Sequence, residues 1–149
     1  MRKEETVDYH IRVAWHAIAR MYNQQAAKFD ADASMAMGFV LLNINTEEGT
    51  PATKIAPMMG LEARSLTRLL KTMEEKGLIY READKVDKRS VRIRLTARGK
   101  QSKENAKEKV LRFNDVVRKH VSEKNLETFF DVAQTIVQLI ERNEIYEKD

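Results

Sequence analysis

Apolar residues recur along most of this chain at intervals of three and four, and the spacing changes to strict alternation only once. The helical period predicts a first helix from about Val7 to Lys28, with Ile11, Trp15, Ile18, Tyr22 and Phe29 on one stripe. Val13 and Ala17 widen its apolar surface beyond what one core face requires. A second helix should start at Ser34, a good N-cap, and carry Met37, Val40, Leu41 and Ile44, with Phe39 and Leu42 on other sides. Thr50 and Pro51 predict a short third helix, Thr50 as cap and Pro51 at its first position, stopping near Gly60. Pro57 inside it removes a donor and crowds the preceding turn, so that helix should be short or kinked. A fourth helix, Ala63 to Lys76, places Leu66, Leu69, Leu70 and Met73 on one stripe. Two long helices close the chain, about Ala97 to His120 and Ser122 to Asn143, with stripes that include Val110, Phe113, Val117, Leu126, Phe130 and Ile140.

The alternating run lies within D-K-R-S-V-R-I-R-L-T-A-R-G, residues 87–99. Val91, Ile93 and Leu95 should face one side of a strand and Arg92 and Arg94 the other. Asp87, Lys88 and Arg89 form the turn before it, Thr96 offers a hydroxyl cap to the next helix, and Gly99 permits close backbone approach. The prediction is a β-hairpin with a cationic tip, set between two helices. On the fourth helix, Arg64, Arg68 and Lys71 lie within roughly 40° of the direction opposite the apolar stripe, flanked by Ser65 and Thr67. A basic helix followed by a basic hairpin is the arrangement with which a winged helix-turn-helix grips DNA.

Charge sharpens this picture by position. Residues 61–100 hold 12 Lys/Arg against 6 Asp/Glu, a net of +6, in a chain whose total is +4; the remainder is therefore −2. A local excess of this kind suits a phosphate backbone. No cysteine is present, so there is no disulfide, thiolate metal site or thiol switch to expect. The charged start of the chain does not read as a signal peptide and no apolar run reaches the ~18 residues of a membrane span, so a cytoplasmic protein is expected. His10, His16 and His120 share no ligand spacing, no phosphate loop is present, and no nucleophile–base set can be assembled. The expectation is no enzyme, no metal and no cofactor.

Asp87-x-Arg89, then Leu95-Thr96-x-x-Gly99, preceded by Glu75-Lys76-Gly77-Leu78-Ile79, resembles the signature of the MarR family of bacterial transcription regulators. The motifs fall within residues 34–100, and the order of elements is similar over nearly the whole chain. The resemblance implies one MarR-like domain over 1–149, mainly α. Within it, 34–100 would form a winged helix-turn-helix lobe with a two-stranded β wing, and 1–30 and 101–149 the dimerisation helices. The surplus apolar stripes on the terminal helices independently call for a partner surface. The family pattern further implies an inverted-repeat operator in duplex DNA, occupied by a homodimer acting as a repressor. Arg64, Ser65, Thr67, Arg68 and Lys71 would meet the major groove, Arg89 the minor groove and Lys88 phosphates, with Asp87 supporting the wing. It also implies a cleft for an aromatic or anionic effector, for which Trp15, His16, Arg20, Met37 and Phe39 are candidates. The alternative is a winged-helix interaction module that binds protein or RNA through its basic face.

Overall fold

The computed structural model describes residues 1–146; the last three residues of the dimerisation region expected at 101–149 lie outside the described residues. The chain divides into two compact units, residues 1–109 and residues 110 onward.

The first unit begins with a short 3₁₀ turn, Lys3–Glu5, and α1, Val7–Phe29. α2 (Met35–Leu42) starts where expected, because the Ser34 hydroxyl accepts the Met37 N–H at 3.3 Å and satisfies a donor the helix cannot. Three strands follow in the sheet order β1 (Thr50–Pro51), β3 (Val91–Leu95), β2 (Ile79–Ala83), all antiparallel. Thr50 pairs with Ile93 and Pro51 with Arg92, while Ile79 lies opposite Leu95 and Ala83 opposite Val91. The two-stranded wing expected from sequence is thus part of a three-stranded sheet.

The same finding corrects the reading of Thr50 and Pro51 as a helix start. The Thr50 hydroxyl is turned inward, accepting the Asn45 N–H at 2.8 Å and donating to the Asn43 carbonyl at 3.4 Å, so it caps nothing. Pro51 takes an extended ψ of 133° on an edge strand, where its missing N–H matters least. α3 (Ala52–Met59) starts after it and ends at Gly60, whose φ of 63° is left-handed. Pro57 sits two residues before that end, so it deprives a helix already stopping.

α4 (Ala63–Glu75) lays Leu66, Leu70 and Met73 into the core, with Leu69 packed at its margin. The core is completed by Met37, Val40, Leu41 and Ile44 from α2 and its exit, Ile55 from α3, Leu78 just before β2, and Ile79, Ile93 and Leu95 from the sheet. All of it falls between residues 37 and 95. Val91, expected on the buried face, is 38 % exposed, because it stands at the loop end of the strand, beyond that core.

α5 (Ala97–His120) springs directly from the sheet. The Thr96 hydroxyl accepts the Gly99 N–H at 2.9 Å and donates to the Gly77 carbonyl at 2.6 Å, joining the helix start to the turn that leads into β2. Gly99 has to be glycine: a Cβ there would lie 1.9 Å from the Leu78 carbonyl oxygen. α1, by contrast, buries none of its 23 residues, and leaves Ile11, Val13 and Trp15 about half exposed.

In the second unit α6 (Glu123–Glu141) is capped by Ser122, which accepts the Asn125 N–H at 3.2 Å. Leu126 is its one buried residue; Phe129, Phe130, Val132, Val137 and Ile140 are exposed.

Candidate nucleic-acid interface

The amphipathic character of α4 decides which side chains the lobe presents. With Leu66, Leu70 and Met73 turned inward, Arg64, Ser65, Thr67, Arg68 and Lys71 are all exposed on the far side. The Thr67 hydroxyl donates back to the Ala63 carbonyl at 2.8 Å.

The wing loop, residues 84–90, carries Lys85, Lys88 and Arg89 exposed to solvent. Asp87 folds its tip: one carboxylate oxygen accepts the Arg89 N–H at 3.0 Å, the other accepts the Ser90 hydroxyl at 3.3 Å. Asp87 therefore holds the backbone at Arg89, leaving the guanidinium free. A second carboxylate, which sequence reading missed, shapes the root of the loop. Asp84 is buried and accepts N–H groups of Val86 at 2.9 Å and Asp87 at 3.2 Å, and its other oxygen meets the Arg92 guanidinium at 3.1 Å. The Val86 and Asp87 N–H groups, with Arg92 adding to them against the cost of desolvation, hold this carboxyl below the ordinary aspartate range.

Pairing separates the basic residues of 61–100 into two classes. Lys76 meets Asp32, Arg81 meets Glu74, Arg92 meets Asp84, Arg94 meets Glu82 and Arg98 meets Asp30. Arg92 also donates to the Glu48 and Gly49 carbonyls, and Arg94 to the Glu47 carbonyl. Among the described residues no ion pair holds Arg64, Arg68, Lys71, Lys85, Lys88, Arg89 or Lys100. Apart from Lys100 on α5, every uncompensated cation of this segment lies on the outward face of α4 or in the wing loop. The alternating arginines of β3, which contribute to the sequence excess, are structural.

The effector candidates are distributed differently. Trp15 stacks on Phe39, ring centroids 6.4 Å apart at 26°, and Tyr22 meets the same ring edge-on at 5.9 Å. Met37 does not join them; it is buried in the lobe core, on the other side of α2 from Phe39. His16 and Arg20 are exposed on α1, turned about 100° and 140° from Trp15 around the helix axis. Among the described residues no three His, Cys, Asp or Glu side chains are placed to hold a metal ion, and no helix is long and apolar enough to cross a membrane.

Comparison with known proteins bears on the same lobe. Residues 34–91 match the MarR family. The HTH-type transcriptional regulator TtmR of Methylorubrum extorquens is 33% identical over 92 residues, spanning 62% of this chain and 46% of that protein. The HTH-type transcriptional regulator SarZ of Staphylococcus saprophyticus is 33% identical over 87 residues, 58% of each chain. The chain thus spans about half the length of these curated relatives. Among solved structures, the S. aureus MepR–DNA complex superposes with a TM-score of 0.81 at 23% identity, covering 91% of this chain and 98% of that one.

Proposed function

We propose that this chain, a member of the MarR family with that family's winged-helix fold, is a homodimeric repressor that binds an inverted repeat in duplex DNA. The observation that carries the reading is the segregation of charge. Cations paired inside the lobe hold it together, and those of residues 61–100 left unpaired lie, Lys100 apart, on α4 and the wing loop. Unpaired cations gain most from a polyanion, because each phosphate contact releases a condensed counterion. Curated relatives that are transcription regulators, and a fold neighbour solved with DNA, support the same partner. α4 would lie in the major groove, Arg64 and Arg68 reaching base edges or phosphates, Ser65 and Thr67 base edges, and Lys71 phosphates. Arg89 would enter the adjacent minor groove, with Lys88 on the backbone.

Dimerisation follows from what the protomer leaves open. α1 buries no residue and α6 one, although both carry long apolar stripes. A second copy covers them at no cost in new sequence, and twofold symmetry then matches an inverted repeat.

Substitutions separate the two contact elements. Arg68→Ala should lower affinity by about 1–3 kcal/mol and change preference at defined base positions. Lys88→Ala should weaken all sequences alike and reduce the salt slope by about one. Arg89→Ala should cost most on sites with a narrow, A·T-rich minor groove. Selection from a random duplex pool with each variant measures all three; equal, sequence-blind losses would contradict the division.

Release by a small aromatic or anionic molecule near Trp15 is the reading for regulation, supported by the Trp15–Phe39–Tyr22 ring cluster, in which Trp15 is half exposed and the other two rings partly buried, with Arg20 and His16 on the same helix as Trp15. Trp15 is the only tryptophan, so its fluorescence reports occupancy. Titration with simple aromatic acids should shift that emission and weaken DNA binding together. Emission and affinity both unmoved would eliminate this compound class.

A further inference from the structure

Seven residues, 84–90, separate the last β2–β3 pair, Ala83 opposite Val91, and they carry the wing's free cations. A loop of that length with an exposed tip has to be held, or its cations meet DNA only after a loss of conformational entropy. One bond joins its ends, from the Asp84 N–H to the Ser90 carbonyl at 3.1 Å. The remaining ties at its root converge on the Asp84 carboxylate, and through it on Arg92.

Arg92 is itself anchored. Its Nη1 donates to the Glu48 carbonyl at 3.2 Å and the Gly49 carbonyl at 3.3 Å, while Nη2 meets Asp84. The turn supplying those carbonyls is itself tied down by hydrogen bonds. Asn45 accepts the Glu47 and Glu48 N–H groups at 2.9 and 2.8 Å, and Lys103 of α5 donates to the Ile44 carbonyl and the Thr46 hydroxyl. Gly49 lies so close to β3 that a Cβ would stand 2.7 Å from the Ile93 carbonyl oxygen, at a φ of +70°.

We propose that Asp84 is a positioning residue for DNA binding, joining the wing loop to Arg92 and hence to the Asn45–Gly49 turn, so that Lys88 and Arg89 are held ready for the duplex. This rests on the reading that the wing contacts DNA. Asp84 touches no DNA in this scheme; it acts on affinity only through the cations at the tip.

A thermodynamic cycle on mixed-sequence duplex DNA tests it. The double substitution Lys88→Ala/Arg89→Ala should weaken binding on the order of tenfold at moderate salt and flatten the salt slope by ~0.9 per lost phosphate contact. Asp84→Ala should give a loss of similar direction, and adding the double substitution to it should then cost much less than tenfold. Arg68→Ala should cost the same factor with and without Asp84, which a general loosening of the lobe would not produce. Asp84→Asn retains an acceptor for the Val86 and Asp87 N–H groups but withdraws the charge facing Arg92. It should fall between wild type and Asp84→Ala, and it carries the cycle if Asp84→Ala does not fold. Equal wing contributions in the presence and absence of the Asp84 carboxylate would overturn the proposal. Loss of nothing from Lys88→Ala/Arg89→Ala in the wild-type chain would overturn the wing reading itself, and this proposal with it.

Discussion

A chain truncated after Ser122 should sediment as a monomer and lose operator binding by a factor on the order of 10²–10⁴, the range over which joining two binding modules raises avidity. The expectation rests on α6, which keeps Leu126 buried and leaves Phe129, Phe130, Val137 and Ile140 exposed in the protomer. Large apolar side chains left exposed along one helix in this way are the kind of surface that marks an interaction site. A monomer would retain a winged lobe, because its core is made entirely of residues 37–95, and so should still bind non-specific DNA weakly. Sedimentation velocity and operator titration on the same sample check both halves. A truncated chain that stays dimeric, or a monomer with full operator affinity, would refute the proposed interface. Ile140→Glu offers the same test without shortening the chain.

The second large effect is local. Gly99→Ala should destabilise the lobe by about 3 kcal/mol or more, at the upper end of overpacking substitutions. The added Cβ would meet the Leu78 carbonyl oxygen at 1.9 Å and the carbon at 3.0 Å, and both are backbone atoms that cannot swing aside. Moving α5 away would break the Thr96 cap, which joins the Gly99 N–H to the Gly77 carbonyl. Gly77→Ala supplies the contrast: its φ of +72° is strained for alanine, but nothing lies within 4 Å of the new methyl. That substitution should cost only about 1 kcal/mol. Denaturant titration of the two variants separates steric conflict from backbone strain; similar midpoints would mean that the α5 start yields more readily than its geometry suggests.

What was legible in the sequence is what depends on near neighbours. The α4 stripe, the Ser34, Thr96 and Ser122 caps and the Gly60 stop all rest on residues within one or two helical turns, and the structure forms each of them. The β1 strand was not legible. Two residues have no period, and Thr50-Pro51 matches a helix start until β3, more than 40 positions later, pairs with it. The roles of Arg92 and Arg94 were hidden for the same reason, since their carbonyl partners lie 43 to 47 residues away. Asp84 had a local signal that could have been used: an aspartate with N–H groups two and three positions ahead is the Asx-turn pattern. Among the effector candidates, helical geometry could already have parted Met37 from Phe39, two residues apart and about 200° around α2.

If α4 enters a major groove as proposed, the hydroxyl of Thr67 limits what its outer face can say to a base pair. Its hydrogen is already committed to the Ala63 carbonyl, so what this exposed side chain has left to offer is oxygen lone pairs and a methyl group. In a major groove that combination matches the exocyclic amino group of adenine or cytosine, or the C5 methyl of thymine. It has nothing to offer the two acceptors on the guanine edge unless the bond within the helix is first given up. Thr67 would thus read its base pair as an acceptor, and the arginines beside it, which carry only donors, would supply the complementary half of the code.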